Sequence, residues 1–473
     1  MNVTEEQQNA LQNFQNQAAQ IANKRVSEGT RKSYNSRLNN WKKWLKDYHA
    51  GQYLTDEGKT LVLPLPEDVM LGFMGYIAYK NPPPPGQANA AGNTTGNPAS
   101  TTRNTVTTGD TTNTTGNTTG NNTEVPVPRV PLIPKSNSTI MGYYSALKFE
   151  YSERNIPWNG TTRITKFLDG FQNTVALARE VGTLPAYEGK AYLPIKGFSL
   201  LAKYALEKNG SDSVYAHLYM ILCWNIVGRT NSIAHLNFAN VTWDNDSLVI
   251  TLPRQKSDPS GQRVKPKCIY ANPFCPEICP VLALALYTFS FTCTISTVTE
   301  TAYCLFEGSS PENAFTKWLH DNALKKMTPE DLGVPVEFIG THSFRKGAAT
   351  YISSFDVVSE NSIDMRAGWT NGRIRSKYIF GTPGADQLIG RLVSGLNIRN
   401  CNEFLVLPPH FDDSGVQLFP EYVQAVANFS GYPLAFRKTL QYLIASLLII
   451  LIGFYKIFIQ HILFSALQFG RMG

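Results

Sequence analysis

The sequence predicts a mainly α protein with a small β-sheet. Two patterns carry that class, and a third feature divides the chain. Apolar residues recur at alternating steps of three and four through most of its length. One short stretch, VTWDNDSLVITL, instead reads as two strands joined by a turn. Residues 82 to 123 contain no Leu, Ile, Met, Phe, Tyr or Trp at all.

From Thr30, taken as an N-cap, a helix carries Tyr34, Leu38, Trp41, Leu45 and Tyr48 on one stripe. A second helix is expected from about Glu67 to Tyr79, stopped by NPPPPG. The Asn/Thr/Gly/Pro tract that follows cannot bury enough surface to offset its ordering entropy, so residues 82–126 are read as a disordered insertion. Helical spacing resumes at Ile140, Tyr144, Leu147 and Tyr151, with a cap at Ser138 or Thr139, and again near 162–180.

GTLPAYEGKAYLPI, within 182–195, reads as a linker between two units. The second unit, 196–400, begins helical. Asp244, Asn245 and Asp246 turn the strand pair, VLALALYTFSF reads as a buried helix, and helical spacing returns at 312–326 and after 341. The expected organisation is an N-terminal extension (1–20), a helical unit (21–181), the linker, the second unit, a C-terminal extension (401–437) and a hydrophobic tail (438–473).

Net charge is +7 and the pI is near 8.9, compatible with a polyanionic partner. The charge is concentrated. Between Ile21 and Asp47 lie Lys24, Arg25, Arg31, Lys32, Arg37, Lys42, Lys43 and Lys46, against Glu28 and Asp47. Such a run is most often a solvated helix face, and becomes a phosphate-contacting face only if the rest of the chain handles nucleic acid. Seven scattered cysteines argue against a secreted disulfide scaffold. No basic, then apolar, signal segment opens the sequence, so the Asn-x-Thr sequons at Asn93, Asn113, Asn117 and Asn121 read as accidents of composition. Cys268, Cys275, Cys279, Cys293 and Cys304 contain no Cys-x-x-Cys pair, so buried free thiols are expected rather than zinc, and no metal or cofactor is called for.

The chemistry-bearing residues are Arg229 in GRTNSI, Lys256 in PRQKS, His342 and Arg345 in HSFR, and Trp369 and Tyr378 in GWTNGRIRSKY. Singly, each reads as packing or surface. Together they suit transfer at a phosphodiester. Two guanidiniums can clamp nonbridging oxygens, a Lys can protonate a leaving oxygen, and His and Trp can donate hydrogen bonds. A Tyr phenol can attack phosphorus. Tyr378 is the nucleophile candidate, because no other Tyr lies between Tyr351 and Tyr422. Lys265 and Lys267 compete with Lys256 for the proton-donor role.

In that order and spacing the residues resemble the tyrosine recombinases, the site-specific recombinases and integrases. The family's set is Arg, Lys, His-x-x-Arg, His or Trp, and Tyr. The runs NPFCPEICPVLALALY and GWTNGRIRSKYIFG resemble recombinases of eukaryotic mobile elements of the Crypton and DIRS-like group. The resemblance covers about residues 20–400. Two departures stand out. Ser232 occupies the place where many members have an acidic residue, and Lys346 the place of a His.

The resemblance implies a helical, SAM-like core-binding domain at 21–181, with Arg31, Lys32, Arg37, Lys42 and Lys43 on phosphates, and a recombinase catalytic domain at 196–400. It also implies double-stranded DNA as partner, a homotetramer on DNA with a dimer per site, and a 3′-phosphotyrosyl intermediate. Nuclear location follows from that substrate. Two alternatives stay open: a DNA-binding protein derived from a recombinase that no longer cuts, and a type IB topoisomerase-like enzyme. The tail, nearly all apolar from Leu440 to Tyr455 and continuing past Lys456, is open between a membrane anchor, a docking or buried helix, and a segment foreign to the enzyme.

Overall fold

The computed structural model describes residues 5–80, 132–185, 189–208, 210–252, 265–290, 304–369, 383–412 and 431–469. The chain divides into two compact units, Met1–Glu188 and Gly189–Gly473.

The first unit holds helices α1 (Glu5–Asn23), α2 (Glu28–His49), α3 (Glu67–Ile77), α4 (Asn137–Glu153) and α5 (Thr162–Glu180), with a two-residue strand pair, β1 (Leu54–Thr55) and β2 (Thr60–Leu61). Helix α2 starts earlier than Thr30. The Ser27 hydroxyl accepts from the Thr30 N–H at 3.2 Å, which places Glu28 in the first turn where the helix dipole favours it. The same correction applies to α4, where Ser136 rather than Ser138 or Thr139 is the cap, accepting from Thr139 N–H at 3.2 Å. Helix α1 lies in what reads as a plain extension; its Leu11, Phe14 and Ile21 are exposed.

The stripe on α2 does what its spacing requires. Leu38, Trp41 and Leu45 are buried against Phe73 of α3 and Ile140 and Leu147 of α4. Trp41 stacks on Phe73 with ring centroids 3.7 Å apart. Each such side chain contributes about 1.5–3 kcal/mol by leaving water. The insertion at 82–126 lies outside the described residues.

The second unit is built on α7 (Ser211–Asn225), whose residues from Ala216 to Asn225 are all buried. A helix apolar on every side belongs at the centre of a domain. Helix α7 packs against α6 (Ile195–Lys208), α9 (Pro280–Ser290) and α12 (Thr341–Ser353). Between them in sequence come α8 (Thr230–Ala234), α10 (Pro311–Trp318) and α11 (Pro329–Leu332). The strand pair is present as β3 (Val241–Asp244) and β4 (Ser247–Ile250), with Val241 opposite Ile250 and Asp244 opposite Ser247. A third strand, β5 (Lys267–Ile269), which the sequence pattern does not announce, completes an antiparallel sheet in the order β3-β4-β5. Its three residues are too few to display an alternation.

Helix α13 (Glu360–Ala367) follows α12, α14 (Pro383–Val393) covers β5, α15 (Cys401–Phe404) is a single turn, and α16 spans Leu434–Phe469. Helix α16 is not simply a tail. Phe436, Leu440 and Leu443 are fully buried, Tyr442 stacks on Trp243 of β3 at 3.7 Å, and the helix packs on α9. Leu448, Ile449, Leu451 and Ile452 are exposed, so the same helix leaves the core within about two turns.

Burial corrects the reading of the cysteines. Cys279 is buried, but Cys268 and Cys275 are only half-buried and Cys304 is exposed; Cys293 lies outside the described residues. No cluster of three metal-ligating side chains forms among the described residues.

Candidate active site

Three chain segments converge beside the buried end of α7. The first is the exit from α7. Val227 there has φ +53° and is fully buried, a left-handed conformation that a β-branched residue adopts only at a cost. This turn, braced by the Gly228 N–H donating to the Cys223 carbonyl at 3.1 Å, delivers Arg229 as the residue capping α8. The Tyr219 hydroxyl donates to the Thr230 carbonyl at 2.7 Å and holds the turn from below. Arg229 is half-buried, and its Nη1 is wholly buried without a hydrogen-bond partner among the described residues. An unpartnered buried guanidinium nitrogen is costly and calls for an acceptor.

The second segment is the first turn of α12, with His342 and Arg345. Gly347 lets this helix sit close, since a Cβ there would lie 2.1 Å from the Leu193 carbonyl oxygen. Arg345 is only 7% exposed, and its Nη2 donates to the Ala367 carbonyl at 2.7 Å. Burial, reinforced by the charge of Arg229, pulls its guanidinium down to about 10. His342 lies on the exposed rim. Partial desolvation, then Arg345, Lys346 and Arg229, hold its imidazolium below the usual histidine range, so the neutral ring prevails at neutral pH.

The third segment is the end of α13. Trp369 is 41% exposed, and its ring lies 5.3 Å from the Arg345 guanidinium carbon, a cation–π contact that orients both.

The structure therefore brings Arg229, His342, Arg345 and Trp369 together. Lys256 and Tyr378 lie outside the described residues. Of the rival lysines, Lys265 is half-buried, while Lys267 is buried under the cluster, within electrostatic reach of both Arg229 and Arg345. Lys346 donates to the Lys190 carbonyl.

Sequence reasoning missed Arg366 and Asp386. The Arg366 side chain is fully buried. It donates to the Asn225 carbonyl from Nε at 3.2 Å and from Nη2 at 2.8 Å, to the Cys268 carbonyl at 2.9 Å, and to Asp386 Oδ1 at 2.7 Å. Asp386 Oδ2 in turn accepts the Cys268 N–H at 2.7 Å. This pair joins α7, β5, α13 and α14 directly beneath the site. Its one trace in the sequence is the basic residue three positions before Trp369, which has no mark of burial.

On the first unit the expected DNA-contacting residues divide. Arg31 pairs with Glu153 at 3.2 Å and Lys32 with Glu28 at 2.9 Å. Arg37 bonds Ser33 and lies over Tyr143. Lys43 is exposed and Lys42 half-buried, and neither forms an ion pair among the described residues.

No family model matches the chain, and no curated protein matches it. Among solved structures it is similar to an FLP recombinase–Holliday junction complex, with 13% identity and a TM-score of 0.39, over 67% of this chain and 80% of that one. It is also similar to a tryptophan-to-phenylalanine mutant of Flpe in a DNA Holliday junction complex, with 12% identity and a TM-score of 0.39, over 61% of this chain and 72% of that one.

Proposed function

We propose that this chain is a site-specific DNA recombinase of a eukaryotic mobile element, acting in the nucleus, that cuts and rejoins strands through a tyrosine–phosphate bond. The observation that carries the reading is the pairing of Arg229, whose buried Nη1 has no hydrogen-bond partner among the described residues, with the buried Arg345. Two neighbouring guanidiniums, one buried and one half-buried, suit the nonbridging oxygens of a phosphodiester, and suit better still the extra charge of a pentacoordinate phosphorane.

In this reading the Tyr378 oxygen attacks phosphorus and the bond to the 5′-oxygen breaks. Lys256 donates the proton that the leaving 5′-oxygen takes up. His342 and the Trp369 N–H donate hydrogen bonds to the phosphoryl oxygens. The product is a 3′-phosphotyrosyl strand and a free 5′-hydroxyl. Attack by a 5′-hydroxyl from a second duplex reverses the chemistry, and the phosphodiester energy is kept throughout. The exchange requires a tetramer with a dimer on each site. Lys42 and Lys43 of α2 supply salt-dependent contacts to phosphates.

The test is covalent trapping. The full chain is incubated with nicked duplexes carrying candidate element termini and resolved on a denaturing gel, beside Tyr378→Phe. An adduct that the substitution abolishes supports the reading. Salt-sensitive binding with no adduct on any terminus favours a DNA-binding protein that no longer cuts. Relaxation of supercoiled DNA by the chain without a second duplex favours the topoisomerase-like alternative.

A further inference from the structure

Beneath the paired arginines lie two further buried cations, Arg366 and Lys267, beside the carboxylate of Asp386. Arg366 and Asp386 satisfy each other. Although Asp386 lies within electrostatic reach, Lys267 forms no ion pair among the described residues. It is 3% exposed, and its Nζ donates to two backbone carbonyls, that of Ile226 at 3.1 Å and that of Arg366. The positions of these acceptors are informative. Ile226 lies three residues before Arg229, and Arg366 lies three residues before Trp369. The next carbonyl after Arg366, that of Ala367, accepts from Arg345. The amine therefore spans the gap between the segment that presents Arg229 and the segment that anchors Arg345 and Trp369.

We propose that Lys267 is a positioning residue that ties these two segments together through the Ile226 and Arg366 carbonyls, setting the separation of Arg229 and Arg345 for a tetrahedral oxyanion. This rests on the reading of the arginine pair as a phosphate-holding site. It assigns Lys267 a role distinct from proton donation to the leaving oxygen, because both carbonyls hold its nitrogen under the guanidiniums and out of solvent.

The charges around Lys267 give the role a signature. The charged groups facing it are Arg229 after α7, Arg345 on α12, Arg366 on α13 and Asp386 on α14. Burial, then Arg366, opposed by Asp386 and assisted by Arg345 and Arg229, bring its ammonium down to about 7. An anion held by the arginines favours the protonated amine. Oxyanion affinity therefore falls as pH rises through about 7 and levels off once the amine is neutral. Desolvation, then Arg345, Lys346 and Arg229, hold His342 below the usual histidine range.

Sulfate is the probe, because it remains a dianion throughout. Calorimetric titration of sulfate into the full chain is run from roughly pH 6 to roughly pH 9. The wild-type affinity is expected to fall across that range. Lys267→Met, apolar and of similar length, is expected to stay folded by circular dichroism, to bind about tenfold more weakly at the acid end, and to show no pH dependence. Lys267→Gln keeps N–H donors without a charge. It is expected to recover the wild-type affinity seen at high pH while remaining flat. Arg345→Gln is expected to abolish binding, which ties the probe to the arginines. Lys267→Met with wild-type affinity and an unchanged pH profile overturns the positioning role while leaving the arginine pair standing. Absence of sulfate binding by the folded wild-type chain overturns the phosphate-holding reading, and the role of Lys267 with it.

Discussion

Helix α2 and the arginine pair of the second unit both collect cations, and they do so in opposite ways. On α2, the half-buried Arg31 reaches Glu153 and the exposed Lys32 reaches Glu28. Charges of this kind add little stability, because water already solvates them and salt screens them. Beside α7, Arg345 is buried and Arg229 half-buried within electrostatic reach of one another, and the Asp386 carboxylate below them is engaged by Arg366. The cations of α2 are solvated or ion-paired, whereas beside α7 Arg229 carries a buried nitrogen with no hydrogen-bond partner among the described residues.

The comparison breaks most completely if the frame under the arginines is removed. Deleting residues 438–473 takes Leu440, Leu443 and Tyr442 out of the core shared with α9 and β3. The second unit is expected to lose more than about 5 kcal/mol, as judged from the cost of emptying single core leucine sites. Chemical denaturation of the truncated chain, followed by tryptophan fluorescence, measures it. A wild-type midpoint would show α16 to be dispensable.

Next in size is the buried ion pair. Arg366→Met removes the ion-pair partner of Asp386, which keeps only the Cys268 N–H, and frees the Asn225 and Cys268 carbonyls. It is expected to cost about 3–5 kcal/mol, with part recovered in the double variant Arg366→Met/Asp386→Leu. A double-mutant cycle on the unfolding free energy reads this directly. Equal losses in the single and double variants would deny the coupling.

Arg229→Ala sharpens the contrast at the site itself. It removes a guanidinium with an unpartnered nitrogen, so stability should be nearly unchanged or should rise. Adduct formation is expected to fall about 10²- to 10³-fold, the scale of removing one donor to developing charge. Single-turnover trapping rates with a matched unfolding curve separate the two effects.

The smallest effect belongs to α2. Arg31→Ala is expected to change stability by less than about 1 kcal/mol. Lys43→Ala is expected to weaken duplex binding on all sequences alike and to reduce the slope of its salt dependence by about one counterion. Fluorescence anisotropy across salt concentrations checks both. A large loss of binding in Arg31→Ala would mean that the Glu153 pair opens to engage DNA.

What the sequence by itself determined was periodic and local. The stripe Leu38, Trp41, Leu45 could be read because a helix repeats its buried face every three to four residues. The β3–β4 turn could be read from the consecutive Asp, Asn and Asp between apolar runs. The juxtaposition of Arg229, His342, Arg345 and Trp369 was foreseeable only as an ordered set, since spacing along a chain does not state distance in space. Tertiary structure decided the rest. The strand at Lys267 is too short to show a period. The burial of Arg366 and Lys267 is invisible in residue types that are normally exposed. The inner half of α16 reads as tail in composition, but it packs as core because α9 and β3 offer it an apolar face. In each case the deciding quantity is solvent exclusion by residues distant in sequence, which no local pattern encodes.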